Sequence, residues 1–425
     1  MTFKDSLFTT NLWDLAVYTN GRPTKPSELV KQGIPVIKIA ELSRGITAQT
    51  NMVSRDVVDP KHIVRAGDLL FAWSGTIGIH IYTGPEAALN QHIFKVVAKD
   101  FIDQAYLRYL LEEQLKVLQG FVEEKKTTMG HVTIANLKTV EVSIPADLNK
   151  QRRIASYIES IDNLLNVEEQ KSKTLEQIAQ AIFKSWFIDF DPVKAKIAGE
   201  KLAGMDAATA ALFPDSMEES ELGLIPKGWE VSPAAELFDV LSGGTPKTTN
   251  ENYWNGDIPW FSVVDAPDSG GCFFTKTNKT ITKEGLDNSA AKLVRPGITL
   301  ISARGTVGKT AIVAIPSTFN QSCYGIEGKY GDFFTYLLLK NQIVRLQNIS
   351  HGGMFDTITR ETFSAIKVVN PQTEIIEKFE FVVSPMFLGI RSLQFQSGKL
   401  ATLRDLLLPR LISGELQIPE DMLAS

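Results

Sequence analysis

The strongest constraint on this chain is that a matched fifteen-residue segment occurs in it twice. VRAGDLLFAWSGTIG begins at Val64 and VRPGITLISARGTVG at Val294, so that Gly67, Gly75 and Gly78 fall on Gly297, Gly305 and Gly308 at a constant offset of 230. Asn90-Gln91 recurs as Asn320-Gln321, and LKTVEVSIP (137–145) faces FSAIKVVNP (363–371) at an offset of 226. The halves share order as well as motifs, so the fold must be built from two copies of one unit.

Each copy has two parts of different periodicity. The first carries short β-type runs such as IPVIKIA and ITLISA, punctuated by Gly, Pro, Asn and Ser, as expected of an irregular β-rich α+β domain. The second reads as one long helix: Ile154, Ile161, Glu168, Leu175 and Ile182 recur every seven residues, with Tyr157, Leu164, Lys171 and Ile178 as companions. Glu168 and Lys171 interrupt this seam. In the second copy Phe379, Met386, Leu393, Leu400 and Leu407 keep the same period, each 225 residues after its counterpart, and Trp186 extends the first seam. A single such helix is explained by packing on its own domain. Two matched helices of roughly 40 residues, each about 60 Å long, bury their seams most simply against each other. The expected fold is therefore α+β: two β-rich domains separated by two long helices forming an antiparallel coiled coil, with an internal pseudo-two-fold repeat. The expected boundaries are 1–145 for the first domain, 146–200 for the central helical spacer, 201–221 for a linker, 222–371 for the second domain and 372–425 for the C-terminal helical spacer.

A chain of 425 residues with 44% hydrophobic and 22% charged residues is long enough for several domains. It lacks any run of eighteen apolar residues, and MTFKDSLFTTNLWDL has no secretory pattern, so a cytoplasmic protein without a membrane span is expected. Two cysteines, Cys272 and Cys323, cannot make a disulfide framework, and five scattered histidines have no metal-ligand spacing. The net charge of -5 argues at first against nucleic acid, yet the excess acid sits mainly in 146–221, which has 9 basic and 14 acidic residues. The two β-rich parts are nearly neutral, with 16 basic against 15 acidic in 1–145 and 14 against 13 in 222–371.

GTVGKT (305–310) resembles the end of a phosphate-binding loop, but the first glycine of that motif is replaced by Ala303, and the matching loop in the first copy is GTIGIH. Both loops read as glycine turns, with backbone amides that could face a phosphate. No nucleophile elbow, nuclease cluster, methyltransferase motif or dinucleotide fingerprint is recognisable, so no catalytic, cofactor-binding or metal residue is assigned to this chain. Candidate DNA contacts come in matched pairs between the β-type runs. NGRPTKPSE (20–28) offers Arg22 and Lys25, opposite SGGTPKTTN (242–250) with Thr245, Lys247 and Thr248; Trp73 and Ser74 face Ala303 and Arg304; EEKKTTMGH (123–131), with Lys125, Lys126 and Thr127, faces NISHGGMFD (348–356), with His351. Arg and Lys suit guanine acceptors or phosphates and Asn or Gln suits adenine, although each such residue also has a plain role as a solvated or turn-stabilising group. The repeated Asn-Gln pairs are expected to cap a turn.

FKSWFIDFDPVKAK from Phe183, IPKGWE from Ile225 and LLLPRLISGEL (406–416), together with the repeat, resemble the specificity (S) subunits of type I restriction-modification systems over essentially the whole chain. The resemblance implies two target-recognition domains, each reading half of a split double-stranded DNA site. It also implies two methyltransferase (M) subunits as partners, with restriction (R) subunits reached through that complex. Catalysis, S-adenosylmethionine, ATP and magnesium would belong to those partners, leaving this chain a non-enzymatic adaptor. LWDL around Trp13 departs from the Pro-x-Gly-Trp expected before a recognition domain, which puts the edge of the first domain in question. The near-neutral β-rich parts keep one alternative open, a coiled-coil scaffold that does not bind DNA.

Overall fold

The computed structural model describes residues 7–123, 130–267, 271–351 and 357–418. It divides into one unit of Met1–Asn163 with Ala401–Ser425 and a second of Leu164–Leu400.

In the first unit β1 (Ala16–Asn20), β2 (Leu69–Ala72), β3 (Gly78–Ile81) and β4 (Ile93–Ala98) form an antiparallel sheet in the order β1-β4-β2-β3. All four residues of β2 are buried, because the sheet is covered on both faces. Leu69 and Phe71 meet Tyr106, Leu107 and Leu110 of α1 (Gln104–Glu113), whereas Leu70 and Ala72 pack with Ile37, Val64 and Leu89. That alternation is the two-residue period of a strand, read from its burial. Asp103 starts α1 by accepting the amides of Ala105 and Tyr106 (3.0 and 3.1 Å). Helix α2 (Leu148–Phe187) begins in this unit.

The second unit repeats the plan. β5 (Phe238–Ser242), β6 (Thr299–Ser302), β7 (Thr310–Val313) and β8 (Cys323–Gly328) take the order β5-β8-β6-β7, and Phe273–Phe274 adds a parallel edge to β7. Helix α3 (Asp332–His351) follows β8 as α1 follows β4, and α4 (Thr373–Ile412) closes the copy. The edge that LWDL put in question is formed in the same way in both copies. Leu7–Asn11 pairs antiparallel with Glu141–Pro145, as Glu230–Pro233 pairs with Lys367–Asn370, and Leu12 and Leu15 are fully buried. What differs is the side chain at the strand's entry: Trp229, just before the second strand, packs against Phe187, Phe190 and Phe213, while Leu7, the first residue of the first strand, is half exposed.

The helical spacer of 146–200 is two helices, α2 and a short Asp191–Ile197, because Phe190 turns the chain through the left-handed region (φ 56°). The 201–221 stretch carries a helix at Ala207–Leu212 and the first strand, Met217–Ser220, of a hairpin with Gly223–Pro226.

Both long helices contribute to each unit, and within each unit they run antiparallel. In the first, Ile154 and Ile158 share a core with Leu411 and Ile412, and Asp162 meets Arg404. In the second, Glu168 accepts a hydrogen bond from Ser397 (2.6 Å), and Phe183 and Phe187 lie against Phe379 with ring centres 5.8 and 5.1 Å away. Of the seam positions, Ile154, Ile161, Trp186 and Phe379 are buried, Leu175, Ile182, Met386 and Leu407 are partly buried against the cores, and Leu393 and Leu400 are intermediate. The companion register needs correction. Leu164, Lys171 and Ile178 are exposed, and the buried companions stand one residue later, at Ile158, Ser172 and Ala179. At 100° per residue a four-residue step turns the helix by about 40° and a three-residue step by about 60° the other way, and the buried stripe follows the former from Ile154.

Candidate nucleic-acid interface

Strand register gathers the candidate loops at one end of each sheet. In the first unit Asn20 pairs with Phe94, Ile93 with Ala72 and Ala72 with Gly78, so the loops after β1, between β2 and β3 and before β4 emerge together. The 130–132 stretch joins them through a bridge between Ser74 and His131 and a hydrogen bond from the Val132 amide to the Trp73 carbonyl (2.8 Å). In the second unit the same frame holds Ser242, Ser302, Thr310 and Cys323, with a bridge between Arg304 and Thr357 and the Ile358 amide on the Ala303 carbonyl (3.0 Å). Ser74 and Arg304 correspond at the 230 offset, and His131 and Thr357 at the 226 offset of the segment that follows them.

Glycine makes the close approach at the base of each tip. A Cβ on Gly21 would lie 2.1 Å from the Asn90 carbonyl oxygen, and one on Gly243 would lie 2.2 Å from that of Asn320. Asn90 and Asn320 cap the turns that follow, their side-chain oxygens accepting the amides of His92 (3.3 Å) and Ser322 (3.1 Å). The turn-capping role expected for the Asn-Gln pairs therefore holds for the asparagines. The glutamines diverge: Gln91 accepts from Asn90 (2.9 Å), and Gln321 accepts from the Thr245 hydroxyl.

On this common frame the side chains differ. Trp73, half-buried, donates its indole N–H to Asn20 Oδ1 (3.1 Å), and its ring lies 5.6 Å from His92 and 6.1 Å from His131; Ser74 beneath it is buried. Arg22 is turned back onto the domain, donating to the Val57 carbonyl (2.6 Å) and, within its own loop, to the Pro23 carbonyl (3.3 Å) and Glu28. The Lys25 amide, with Arg22 beside it, holds Glu28 below the usual carboxylate range, so this pair braces the loop that exposes Lys25. In the second unit Arg304, Lys247 and Thr248 are exposed, and the Lys247 carbonyl accepts from the Trp254 indole (3.3 Å). Thr245 is held by its hydrogen bond to Gln321. His351 is the last residue of α3, whereas Lys125, Lys126 and Thr127 lie outside the described residues.

The GTVGKT loop uses its amides internally. Gly308 donates to the Ser302 carbonyl (3.0 Å), Lys309 to the Ser302 hydroxyl (2.9 Å) and Val307 to the Gly305 carbonyl (3.1 Å), so these N–H groups do not form a phosphate cradle. Sequence reading missed His92 and Arg360; the latter donates to the Val240 carbonyl (2.8 Å) and Ser242 hydroxyl (3.3 Å) and braces the end of β5. No local motif marks these residues, because only strand pairing brings them to the tip. Among the described residues no group of His, Cys, Asp and Glu is arranged to hold a metal, and no helix is long and apolar enough to cross a membrane.

Comparison with known proteins agrees with this architecture. The model of the type I restriction modification DNA specificity domain matches residues 9–177 and 226–382, one match per copy. The HindI type I restriction enzyme specificity subunit of Haemophilus influenzae is 28% identical over 364 residues, covering 76% of this chain and 78% of that protein. The MjaIX specificity subunit of Methanocaldococcus jannaschii is 25% identical over 367 residues, covering 83% and 78%. The crystal structure of a type I restriction-modification S subunit from M. genitalium shares the fold, with a TM-score of 0.54, 14% identity and 97% of both chains covered. With two matches that span most of its length, each on one half of an internal repeat, the chain belongs to the family of type I restriction-modification DNA specificity subunits.

Proposed function

We propose that this chain reads a split double-stranded DNA target, one half-site per recognition unit, and thereby directs adenine methylation or cleavage by partner subunits. The observation that carries this reading is the pair of tips: one backbone frame, kept in both copies by Gly21 and Gly243 and the capping asparagines, presents different side chains in each. That is the arrangement required of two readers with different targets on a common scaffold. In the first tip Trp73 and Lys25, and in the second Arg304, Lys247 and Thr248, are the groups assigned to DNA; their exposed cations suit guanine edges or phosphates. The paired helices keep the non-specific gap between half-sites. Two weak readers joined in this way raise each other's effective concentration, so the spacer contributes specificity without touching a base.

Chemistry falls to the partners in this proposal: two methyltransferase subunits with S-adenosylmethionine, and restriction subunits with ATP and magnesium, in the cytoplasm. The chain itself acts as a non-catalytic adaptor. Single-molecule sequencing of adenine methylation in cells expressing the chain with its methyltransferase, against cells with the methyltransferase alone, tests this directly. Two short half-sites around a fixed gap, present only with the chain, are expected. Methylation independent of the chain despite a stable complex would leave it a scaffold that does not read DNA.

A further inference from the structure

Each recognition unit is joined to α2 by a nearly buried carboxylate. In the first, Asp162 accepts the Tyr109 hydroxyl from α1 (2.9 Å) on one oxygen and Arg404 from α4 (3.0 Å) on the other, with Arg108 3.6 Å away. The Asp162 side chain is only 16% exposed, and the Arg108 guanidinium lies 4.7 Å over the Tyr109 ring. In the second, Glu176 accepts the Tyr336 hydroxyl from α3 (2.6 Å), and Lys340 of the same helix reaches both Glu176 and Tyr336, its ammonium 5.5 Å over the Tyr336 ring. The Glu176 side chain is 11% exposed.

The two joints use the same chemistry, a carboxylate on the spacer with a tyrosine and a cation from the recognition helix, but they are not copies. By the 230 offset Tyr109 corresponds to Leu339, and Tyr336 corresponds to Tyr106, whose hydroxyl instead donates to the Ile412 carbonyl (3.1 Å). Asp162 corresponds by the 225 offset to Phe387, and Glu176 to Ala401. The device is thus built twice from non-equivalent positions. Removing charges from water makes such clusters poor sources of stability, while their directional hydrogen bonds permit one geometry.

We propose that Asp162 with Tyr109, and Glu176 with Tyr336, are positioning residues that fix the orientation of each recognition domain on its helix and so restrict the chain to one gap length. This inference rests on the bipartite reading above. One base pair more or less shifts a half-site by about 3.4 Å and turns it by about 35°, so a joint that rocks by a fraction of that angle admits neighbouring gaps. A hydrogen-bonded ionic joint resists this rotation better than an apolar contact, which is non-directional.

The test uses the full methyltransferase complex and a plasmid library carrying both half-sites at the native gap and at one base pair shorter and longer. Asp162→Asn, Tyr109→Phe, Glu176→Gln and Tyr336→Phe keep side-chain volume, and thermal melting of each complex confirms that it is folded. The native-to-shifted methylation ratio is expected to fall about tenfold, equivalent to about 1.4 kcal/mol, with the half-site sequences unchanged. An unchanged ratio in variants, whatever their overall activity, overturns the positioning role while leaving the bipartite reading intact. If the unaltered chain shows no gap preference, the bipartite reading fails and this inference fails with it.

Discussion

The two recognition units are the same scaffold finished differently. Both place a four-stranded antiparallel sheet in one strand order, bring a glycine against an asparagine carbonyl, and close the tip with a two-residue bridge. The first ends in an aromatic and imidazole cluster around Trp73, the second in an exposed Arg304 beside a threonine. Their attachments differ too: Phe379 sits in an aromatic cluster with Phe183, Trp186, Phe187 and Phe334, where its counterpart in the core of the first unit is the aliphatic Ile154. The repeat preserves backbone frame and register, and divergence is confined to what the frame presents and how it is fastened.

Breaking the fastening gives the largest effect. Phe379→Ala is expected to cost about 3–5 kcal/mol in denaturant unfolding of the complex, more than Ile154→Ala at the matched position. Phe381→Ala, two residues away but 73% exposed, should stay within about 0.5 kcal/mol of the parent. A large loss at Phe381 would mean that the seam had been misassigned. Next come the close approaches: Gly21→Ala and Gly243→Ala each place a methyl group on backbone oxygen, which cannot move aside, and should each cost more than about 1 kcal/mol. Tolerance at one position and not the other would show that the shared frame is shared in only one copy.

The last expected effect is a pH dependence carried by Glu380 of the second unit. Glu380 accepts the Phe334 amide (2.6 Å), and burial pushes its carboxyl up to about 7; its counterpart in the first unit is Ala155. With the native value raised, the folded state holds the proton more tightly than the unfolded chain. The associated stability is full below the ordinary carboxyl value of 4.5 and is lost as pH rises through about 7. Glu380→Gln should flatten that part of the stability profile, and an unchanged slope would assign the pH dependence elsewhere.

Sequence alone made the repeat and both long helices legible, because glycine spacing and a seven-residue apolar period are local signals. Pairs of residues matched by the repeat also anticipated which loops meet at the tips. It misplaced the companion register, since Leu164 and Ile178, which are exposed, are as apolar as Ile158, which is buried, and only the packing decides which positions face the core. It could not separate Arg22, committed to Glu28 and the Val57 carbonyl, from Lys25, which is exposed, because both are cations in the same loop. The carboxylate joints were illegible for the same reason. Glu168 read as an interruption of the seam, and nothing in the sequence distinguishes it from Glu176, whose partners stand more than 150 residues away.

The central claim, that each tip reads its own half-site, is tested most directly by mapping methylated adenines from complexes carrying Trp73→Ala or Arg304→Ala. Each variant is expected to relax specificity in one half-site only, the two variants affecting opposite halves, at about 1–3 kcal/mol per contacted base. If both variants relaxed the same half, or if both half-sites weakened equally in each, the assignment of one tip to one half-site would be contradicted.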